Sequence, residues 1–255
     1  MPLDIQTVPC LADNYAYILR DTATGTVAIV DVPEAAPLIA ALDARGLGLD
    51  LILLTHHHDD HIQGVPELVA KYGCKVVGAA ADAHRLPPLD IQVAEGDTVK
   101  VGESEGNVLD VSGHTVGHIA FHFLASDAVF SADSLMALGC GRLFEGDGAM
   151  MQASMEKFLN MPDSTIVYSG HEYTQANARF ALSIEQDNAD LRARAERIDA
   201  ARERGMPTVP SSLAEEKATN PFLRAHVSSV KAAVGLPDGS DAEVFTEVRR
   251  RKDTF

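Results

Sequence analysis

The chain has 255 residues, of which 46% are hydrophobic and 23% charged, an ordinary composition for a soluble globular protein. This length allows one large core, or one core with a smaller satellite domain. The net charge is −16, and residues 1–171 hold 8 Lys+Arg against 23 Asp+Glu, a net charge of −15. Such an acidic body argues against a nucleic-acid partner, because phosphate binding requires a positive face. The sequence has no apolar run of about 18 residues, so no membrane-spanning segment is predicted.

The cysteines and the first four residues indicate in which cellular compartment the protein is expected. Cys10, Cys74 and Cys140 are odd in number and lack metal-site spacing, which is typical of reduced thiols. The start of the chain, residues 1–4, lacks the basic and apolar parts of a signal peptide. We therefore expect a cytoplasmic protein. Because no long exposed apolar stripe is visible, we also expect a monomer.

In chain order, the first 170 residues alternate short apolar strands with turns and helices, which predicts an α/β body of two sheets with outer helices. The composition then changes, and residues 188–204 show a helical period with arginines mostly on the polar, solvated face. The predicted strands cover 15–20, 27–32, 51–54, 75–78, 99–101, 108–112, 119–124, 128–131 and 165–169, and the predicted helices before residue 170 cover 33–47 and 66–72.

A histidine-rich turn, T-H-H-H-D-D-H at 55–61, holds four of the chain's 10 histidines. It follows the buried strand at 51–54, so a rigid element positions a polar loop. Imidazole and carboxylate are ligands that divalent zinc, iron and manganese accept. In an extended segment His57 faces away from its two neighbours, and Asp59 is better suited to start a helix or to support a ligand. The turn therefore predicts a metal site rather than a solvated loop.

Three more candidate ligands follow predicted strands: His114, Asp133 and His171. Each alone is also typical of a cap or a turn former. Together with the turn they give five histidines and two aspartates, enough for two metal ions that share one carboxylate and one water. Thr55 is a candidate for orienting a ligand through its hydroxyl. The remaining histidines are assigned to structure or surface: His84, His118, His122 and His226.

These motifs resemble the metallo-β-lactamase superfamily. The turn, G-H-T-V-G-H at 113–118, the strand that ends near Asp133 and G-H-E-Y at 170–173 have this pattern. Further segments are similar to one of its families, glyoxalase II (hydroxyacylglutathione hydrolase), essentially from end to end: D-N-Y at 13–15, G-C-G-R-L-F-E-G at 139–146, T-V-P-S-S-L-A-E-E at 208–216, N-P-F-L-R at 220–224 and R-R-R-K-D-T-F at 249–255. The resemblance implies a four-layer αββα sandwich with a binuclear metal site at 1–171, and a smaller helical glutathione-binding domain at 172–255.

The resemblance also implies roles for individual residues. One metal would be held by His56, His58 and His114. The second would be held by Asp60, His61 and His171, with Asp133 as a bridge. Asp60 and Asp133 would hold the bridging hydroxide. Zinc is the expected ion, with iron or manganese as alternatives.

Five residues match family positions that contact glutathione: Arg142, Phe144, Tyr173, Arg249 and Lys252. Some family members carry Lys in place of Arg142 and Tyr in place of Phe144. Arginine keeps the positive charge but has a different geometry. Phenylalanine lacks a hydroxyl, so one hydrogen bond to the peptide would be lost.

The implied reaction is hydrolysis of S-(2-hydroxyacyl)glutathione, typically S-D-lactoylglutathione, to glutathione and a 2-hydroxy acid such as D-lactate. This is the second step of methylglyoxal detoxification. A thiolate leaving group departs without a strong general acid, because its parent thiol has a pKa of about 8.5. The enzymatic alternatives are a mononuclear-iron persulfide dioxygenase, whose relatives lack this helical end, and a lactonase. The net charge of −16 argues against a tRNA-processing nuclease of the same fold. The non-enzyme alternative is an inactive metal-binding scaffold.

Overall fold

The computed structural model describes residues 3–255. Within this range the chain forms two compact units. Unit 1 comprises the chain up to Asp110 together with Val116–Ser131, and unit 2 comprises Val111–Thr115 together with Ala132–Phe255. The domain boundary after residue 171 stays a prediction. No helix in residues 3–255 is long and apolar enough to cross a membrane.

Unit 1 contains a mixed six-stranded sheet whose strands follow their order in the chain. Its first three strands pair antiparallel, and the last four are joined by parallel pairs. The central strands are almost continuously apolar, as expected for parallel strands covered on both faces. The strands are β1 (Leu3–Cys10), β2 (Asn14–Asp21), β3 (Val27–Val30), β4 (Leu51–Leu53), β5 (Lys75–Ala79) and β6 (Ile91–Val93).

Three helices connect these strands: α1 (Ala35–Ala44), α2 (Asp59–Ile62) and α3 (Val65–Tyr72). Leu38 and Leu42 of α1 and Leu68 of α3 pack into the same hydrophobic core as the sheet. The predicted helix at 33–47 is therefore confirmed but shorter. It ends at Ala44 because Gly46 takes a left-handed conformation (φ 63°), which stops the helix.

Four further strands, which lie in unit 1 except for the last residue of β10, form an antiparallel run: β7 (Thr98–Val101), β8 (Ser104–Asp110), β9 (Ile119–Phe123) and β10 (Ala128–Ala132). Within unit 1 the rings of Tyr17 on β2 and Phe130 on β10 lie 5.6 Å apart, so the two sets of strands pack face to face. Strand β8 begins earlier than the predicted 108–112. Its first inward positions are Ser104 and Gly106, which an apolar pattern does not detect.

Unit 2 is mainly helical. Side chains that accept a hydrogen bond from the backbone begin four of its helices: Asp147, Asn188, Ser212 and Ser240. The helices are α4 (Gly148–Leu159), α5 (Thr174–Ile184), α6 (Ala189–Glu203), α7 (Leu213–Thr219), α8 (Ser228–Ala233) and α9 (Asp241–Asp253). The short strands are β11 (Leu135–Met136), β12 (Gly139–Cys140), β13 (Ile166–Ser169) and β14 (Ser211–Ser212).

The arginines of α6 are less uniformly solvated than their sequence pattern predicts. Arg194 is only 4% exposed, and its guanidinium pairs with buried Glu216 and donates to Thr219. The opposite oxygen of Glu216 accepts the backbone N–H of Leu138. A carboxylate on α7 thus stabilises a buried cation on α6, an arrangement that no single-helix pattern can predict.

Candidate metal centre

The histidine-rich turn lies in unit 1, between strand β4 and helix α2. Helix α2 begins at Asp59, with His58 as its N-cap, which agrees with one of the two roles that the sequence suggested for Asp59. His56 and His61 are fully buried, whereas His58 and Asp60 are partly exposed. A short helix that starts inside the turn places Asp60 and His61 in its first turn. The strand–turn–helix connection therefore carries four candidate ligands on a well-packed support.

Asp31, which the sequence analysis did not single out, organises the ligands of this turn. Its carboxylate accepts the backbone N–H of Thr55 at 2.9 Å, the Thr55 hydroxyl at 2.8 Å and Nδ1 of His61 at 2.8 Å. Since the Thr55 hydroxyl donates to Asp31, it accepts from His56 Nδ1 at 3.0 Å. Both histidines thus keep a lone pair on Nε2, which is the form that binds a metal.

The separation of the donor atoms also fits a metal ion. His56 Nε2 and His58 Nδ1 lie 3.2 Å apart. Nitrogen ligands at 2.0–2.1 Å from a tetrahedral zinc ion would be about 3.3 Å from each other. Asp60 is held by the Asn14 amide, which donates to its backbone carbonyl at 3.0 Å and to Oδ2 at 3.1 Å. The turn therefore presents prearranged nitrogen and oxygen donors.

Two histidines near the turn have other contacts. His57 Nδ1 lies 2.8 Å from buried Asp82, which also binds Arg85. His118 stacks on His56, with ring centroids 4.6 Å apart and planes 11° from parallel. His57 and Asp82 thus anchor the middle of the turn, and His118 packs against a candidate ligand.

Unit 2 contains the other three candidate ligands. Asp133 Oδ2 lies 3.4 Å from His114 Nε2 and 3.3 Å from His171 Nε2. These distances suit ligands of a shared ion better than strong hydrogen bonds. His114 Nδ1 donates to the Arg142 carbonyl at 2.8 Å, which leaves the lone pair on Nε2. One carboxylate oxygen beside the Nε2 atoms of two histidines has the geometry expected of a bridging ligand.

Two exposed aromatic rings accompany these histidines in unit 2. Tyr173 stacks on His171 with centroids 4.7 Å apart, and 41% of its surface is exposed. Phe144 lies 5.3 Å from the His114 ring and is 63% exposed. Exposed aromatic surface of this size beside candidate metal ligands is suited to contact an organic substrate.

Arg249 and Lys252 lie on the last helix, α9. Arg249 is buried and donates to the Cys140 carbonyl at 2.9 Å and to Asp253 at 2.8 Å. The Lys252 ammonium lies 5.3 Å from the Phe180 ring centroid. Burial, followed by the charges of nearby arginines, lowers the pKa of Lys252. The end of the chain is thus an ordered helix with one buried and one partly buried cation.

The cysteines have no nucleophilic role in this arrangement. Cys10, Cys74 and Cys140 are free and buried. Burial raises the pKa of the Cys10 thiol to about 12 and that of the Cys140 thiol to about 11. Such thiols remain protonated at neutral pH, so the histidine and aspartate groups carry the available chemistry.

Comparison with known proteins agrees with these features. The metallo-beta-lactamase superfamily model matches residues 13–171, and the model described as hydroxyacylglutathione hydrolase C-terminus matches 172–255. A "Hydroxyacylglutathione hydrolase" of Jannaschia sp. (strain CCS1) is 63% identical over 98% of both chains.

Two solved structures share the fold. ETHE1 from Myxococcus xanthus is 25% identical, with a TM-score of 0.69 over 98% of this chain and 90% of that one. TTHA1623 in a di-iron-bound form is 27% identical, with a TM-score of 0.62 over 85% and 98%. The predicted metallo-β-lactamase fold with a helical C-terminal region is therefore confirmed. The chain belongs to the hydroxyacylglutathione hydrolase family of the metallo-β-lactamase superfamily.

Proposed function

We infer that this protein is a thioester hydrolase that converts S-(2-hydroxyacyl)glutathione, typically S-D-lactoylglutathione, to glutathione and a 2-hydroxy acid. The observation that carries this inference is the full-length similarity to a relative named hydroxyacylglutathione hydrolase, 63% identical over 98% of the chain. The donor groups support it, because both units hold buried histidines with metal-binding nitrogens directed by hydrogen bonds. This reaction is the second step of methylglyoxal detoxification.

The ligands are assigned to two divalent ions. His56, His58 and His114 would hold one ion, and Asp60, His61 and His171 would hold the other, with Asp133 shared between them. Zinc is the proposed metal, since the donors are imidazole nitrogens and carboxylates with near-tetrahedral separations. The di-iron-bound form of the structural neighbour TTHA1623 supports a site for two ions and keeps iron as the alternative metal. When bound, the ions would lower the pKa of a shared water and polarise the thioester carbonyl.

The chain's own side chains hold the attacking water and orient the ligand histidines. Asp60 and Asp133 supply anionic oxygens that hold the attacking water and accept hydrogen bonds from it. Asp31, through His61 and Thr55, keeps two ligand histidines in one tautomer. The leaving thiolate needs little help from an acid, because thiols have a pKa of about 8.5.

The substrate side of the site is assigned to residues of unit 2. Tyr173 and Phe144 offer exposed rings beside two ligand histidines. Arg142 and Lys252 supply positive charge for the glutathione carboxylates. Arg249 is buried, so it acts through its charge and through the Cys140 carbonyl that it holds.

The compartment and the assembly state belong to the same proposal. Three free, buried cysteines support a reducing compartment, so we place the protein in the cytoplasm. We propose a monomer that acts on a small molecule, without nucleic acid or membrane; the net charge of −16 argues against a nucleic-acid partner.

The experiment is a hydrolysis assay with S-D-lactoylglutathione on purified protein, with the metal content measured on the same sample. Fast hydrolysis that is lost on chelation and restored by zinc is expected. Protein with two metals that does not hydrolyse glutathione thioesters would refute the proposed substrate. Oxygen uptake with glutathione persulfide and one bound iron would support a dioxygenase instead, and hydrolysis of lactones alone would support a lactonase.

A further inference from the structure

Three cations of unit 2 act on one another and have no carboxylate partner among residues 3–255: Arg142, Arg179 and Lys252. We call them the cation group. Most lysines and arginines of this acidic chain form ion pairs, including Arg194, Arg224 and Lys217 in the same unit. Arg142 and Arg179 are exposed, and the Lys252 ammonium contacts only a backbone carbonyl and aromatic rings. In a protein with 37 acidic residues, unpaired cations close to one another require an explanation.

Arg179 belongs to this group through its position on α5. The Lys252 ammonium lies 3.4 Å from the carbonyl oxygen of Ala176 and over the ring of Phe180. Ala176 is three residues before Arg179, and residues three apart are neighbours on a helix, with about 5–6 Å between Cβ atoms. The α5 surface that receives Lys252 therefore also carries Arg179.

The charges in this group act on one another. Burial, followed by the positive charges of Arg249, Arg179 and Arg142, lowers the pKa of Lys252. Like charges held together in a folded protein are unfavourable, and no carboxylate of the described chain pairs with Arg142 or Arg179. An anionic ligand would relieve this repulsion.

We propose that Arg179 is a specificity-determining residue that binds a carboxylate of the glutathionyl group together with Lys252 and Arg142. The proposal rests on the proposed function, because glutathione is the source of the carboxylates. The glutathionyl group carries two carboxylates and one ammonium at neutral pH. The oxygens of two carboxylates can accept hydrogen bonds from all three cations. A planar guanidinium can bind either carboxylate with two parallel hydrogen bonds.

The test compares Arg179→Ala with Arg179→Lys and with Arg192→Ala. Arg192 is also an exposed arginine of unit 2, but its side chain donates to the Gln186 carbonyl, away from the cation group. For S-D-lactoylglutathione we expect Arg179→Ala to lower kcat/KM about 3- to 10-fold at low salt, chiefly through KM, with a smaller effect at high salt. Arg179→Lys should restore part of the loss, and Arg192→Ala should change nothing.

A set of substrates identifies the contact. Arg179→Ala should hydrolyse a short neutral thioester as wild type does. Its penalty should also disappear when the contacted carboxylate of the glutathionyl group is esterified, either on the glycyl or on the γ-glutamyl residue. Loss of the penalty with one ester supports the proposal and identifies the carboxylate. A penalty that persists with both esters, or that also appears with the neutral thioester, would overturn it.

Binding of S-methylglutathione, measured by calorimetry, provides a readout that is independent of turnover. We expect weaker binding to Arg179→Ala and unchanged binding to Arg192→Ala. Equal binding to wild type and Arg179→Ala would overturn the proposal even if the hydrolase activity is confirmed. Wild-type protein that neither binds S-methylglutathione nor hydrolyses S-D-lactoylglutathione would instead refute the proposed function.

Discussion

The histidine-rich turn of unit 1 and the cation group of unit 2 show two different ways of preparing a protein for a ligand. In the turn, buried donors are fixed by hydrogen bonds to a third group, as Asp31 fixes His61 and, through Thr55, His56. In the cation group, exposed or partly buried charges have no carboxylate partner within the described chain. Prearranged donors suit chemistry that needs fixed geometry, whereas unpaired charges suit recognition of a flexible anion.

Structural cations in unit 2 make the contrast sharper. Arg224 donates to both oxygens of Glu185 at 2.7 and 3.0 Å, and Arg194 pairs with Glu216. These arginines stabilise contacts between helices and loops of the same unit. Arg142, Arg179 and Lys252 lack such a partner and lie close to one another, and this combination distinguishes the cation group.

The largest expected effect comes from removing the proposed bridge. Asp133→Ala should lower kcat/KM for S-D-lactoylglutathione by about three orders of magnitude, because two ions lose a shared ligand. The metal content, measured by mass spectrometry, should fall by at least one ion. Full activity with two ions retained would show that Asp133 is not the bridge.

A second prediction concerns Asp31 and Thr55, which orient the ligand histidines without being ligands themselves. Asp31→Asn should weaken metal binding about 10- to 100-fold, because the carboxylate no longer fixes His61 and Thr55. Thr55→Val should have a smaller effect and Thr55→Ser almost none, since serine keeps the hydroxyl. Competition with a chelator measures these affinities. The matched control is the exposed Asp238→Asn, and an equal loss in that control would remove the role given to Asp31.

A third prediction concerns the paired cations. Arg224→Met should lower the free energy of unfolding by about 2–4 kcal/mol, because it leaves the Glu185 carboxylate buried and unpaired. Burial opposes ionisation of Glu185, but hydrogen bonds from Arg224 and Ser229 outweigh it and lower its pKa. The pair therefore stabilises the fold above the ordinary glutamate pKa of about 4.3, and this contribution is lost as the pH falls through the lowered value.

Urea titrations at pH 7 and at acidic pH provide the measurement. The difference in stability between wild type and Arg224→Met should be large at pH 7 and small in acid. A difference that does not change with pH would mean that the guanidinium acts by packing alone.

A smaller effect is expected for the cation group itself. Lys252→Ala should raise KM for S-D-lactoylglutathione about 3- to 10-fold and leave a short neutral thioester unaffected. Because the pKa of Lys252 is lowered, the affinity of wild type should begin to fall at a lower pH than an ordinary lysine would allow. Steady-state kinetics between pH 7 and 10 measure both effects. Lys75→Ala, at an exposed lysine of unit 1, is the control.

The sequence was sufficient for the fold class and for the motifs of the turn, because buried strands and clustered histidines leave strong local patterns. It also offered two roles for Asp59, to start a helix or to support a ligand, and in the structure Asp59 is the first residue of α2, after the N-cap His58. Asp31 was missed although it follows a buried strand, as Asp133 does. Its role depends on a partner 30 residues away, His61, and single-sequence patterns do not show such contacts.

The C-terminal helices were harder to interpret for the same reason. Arg194 and Arg197 share one arginine-rich helix, yet Arg194 is buried and Arg197 is exposed. The position of Glu216 on another helix makes this difference. The proposed role of Arg179 likewise depends on a tertiary contact, the packing of Lys252 on α5. Tertiary pairing, rather than helical periodicity, decides which cations are structural.

The most direct test of the central assignment is a zinc titration of metal-free protein, with hydrolysis of S-D-lactoylglutathione followed at each step. The proposed assignment of seven ligands to two ions predicts that activity rises until two equivalents have been added and then stays constant. Asp133→Ala should bind fewer equivalents and remain inactive. A plateau at one equivalent, with full activity, would contradict the two-ion site.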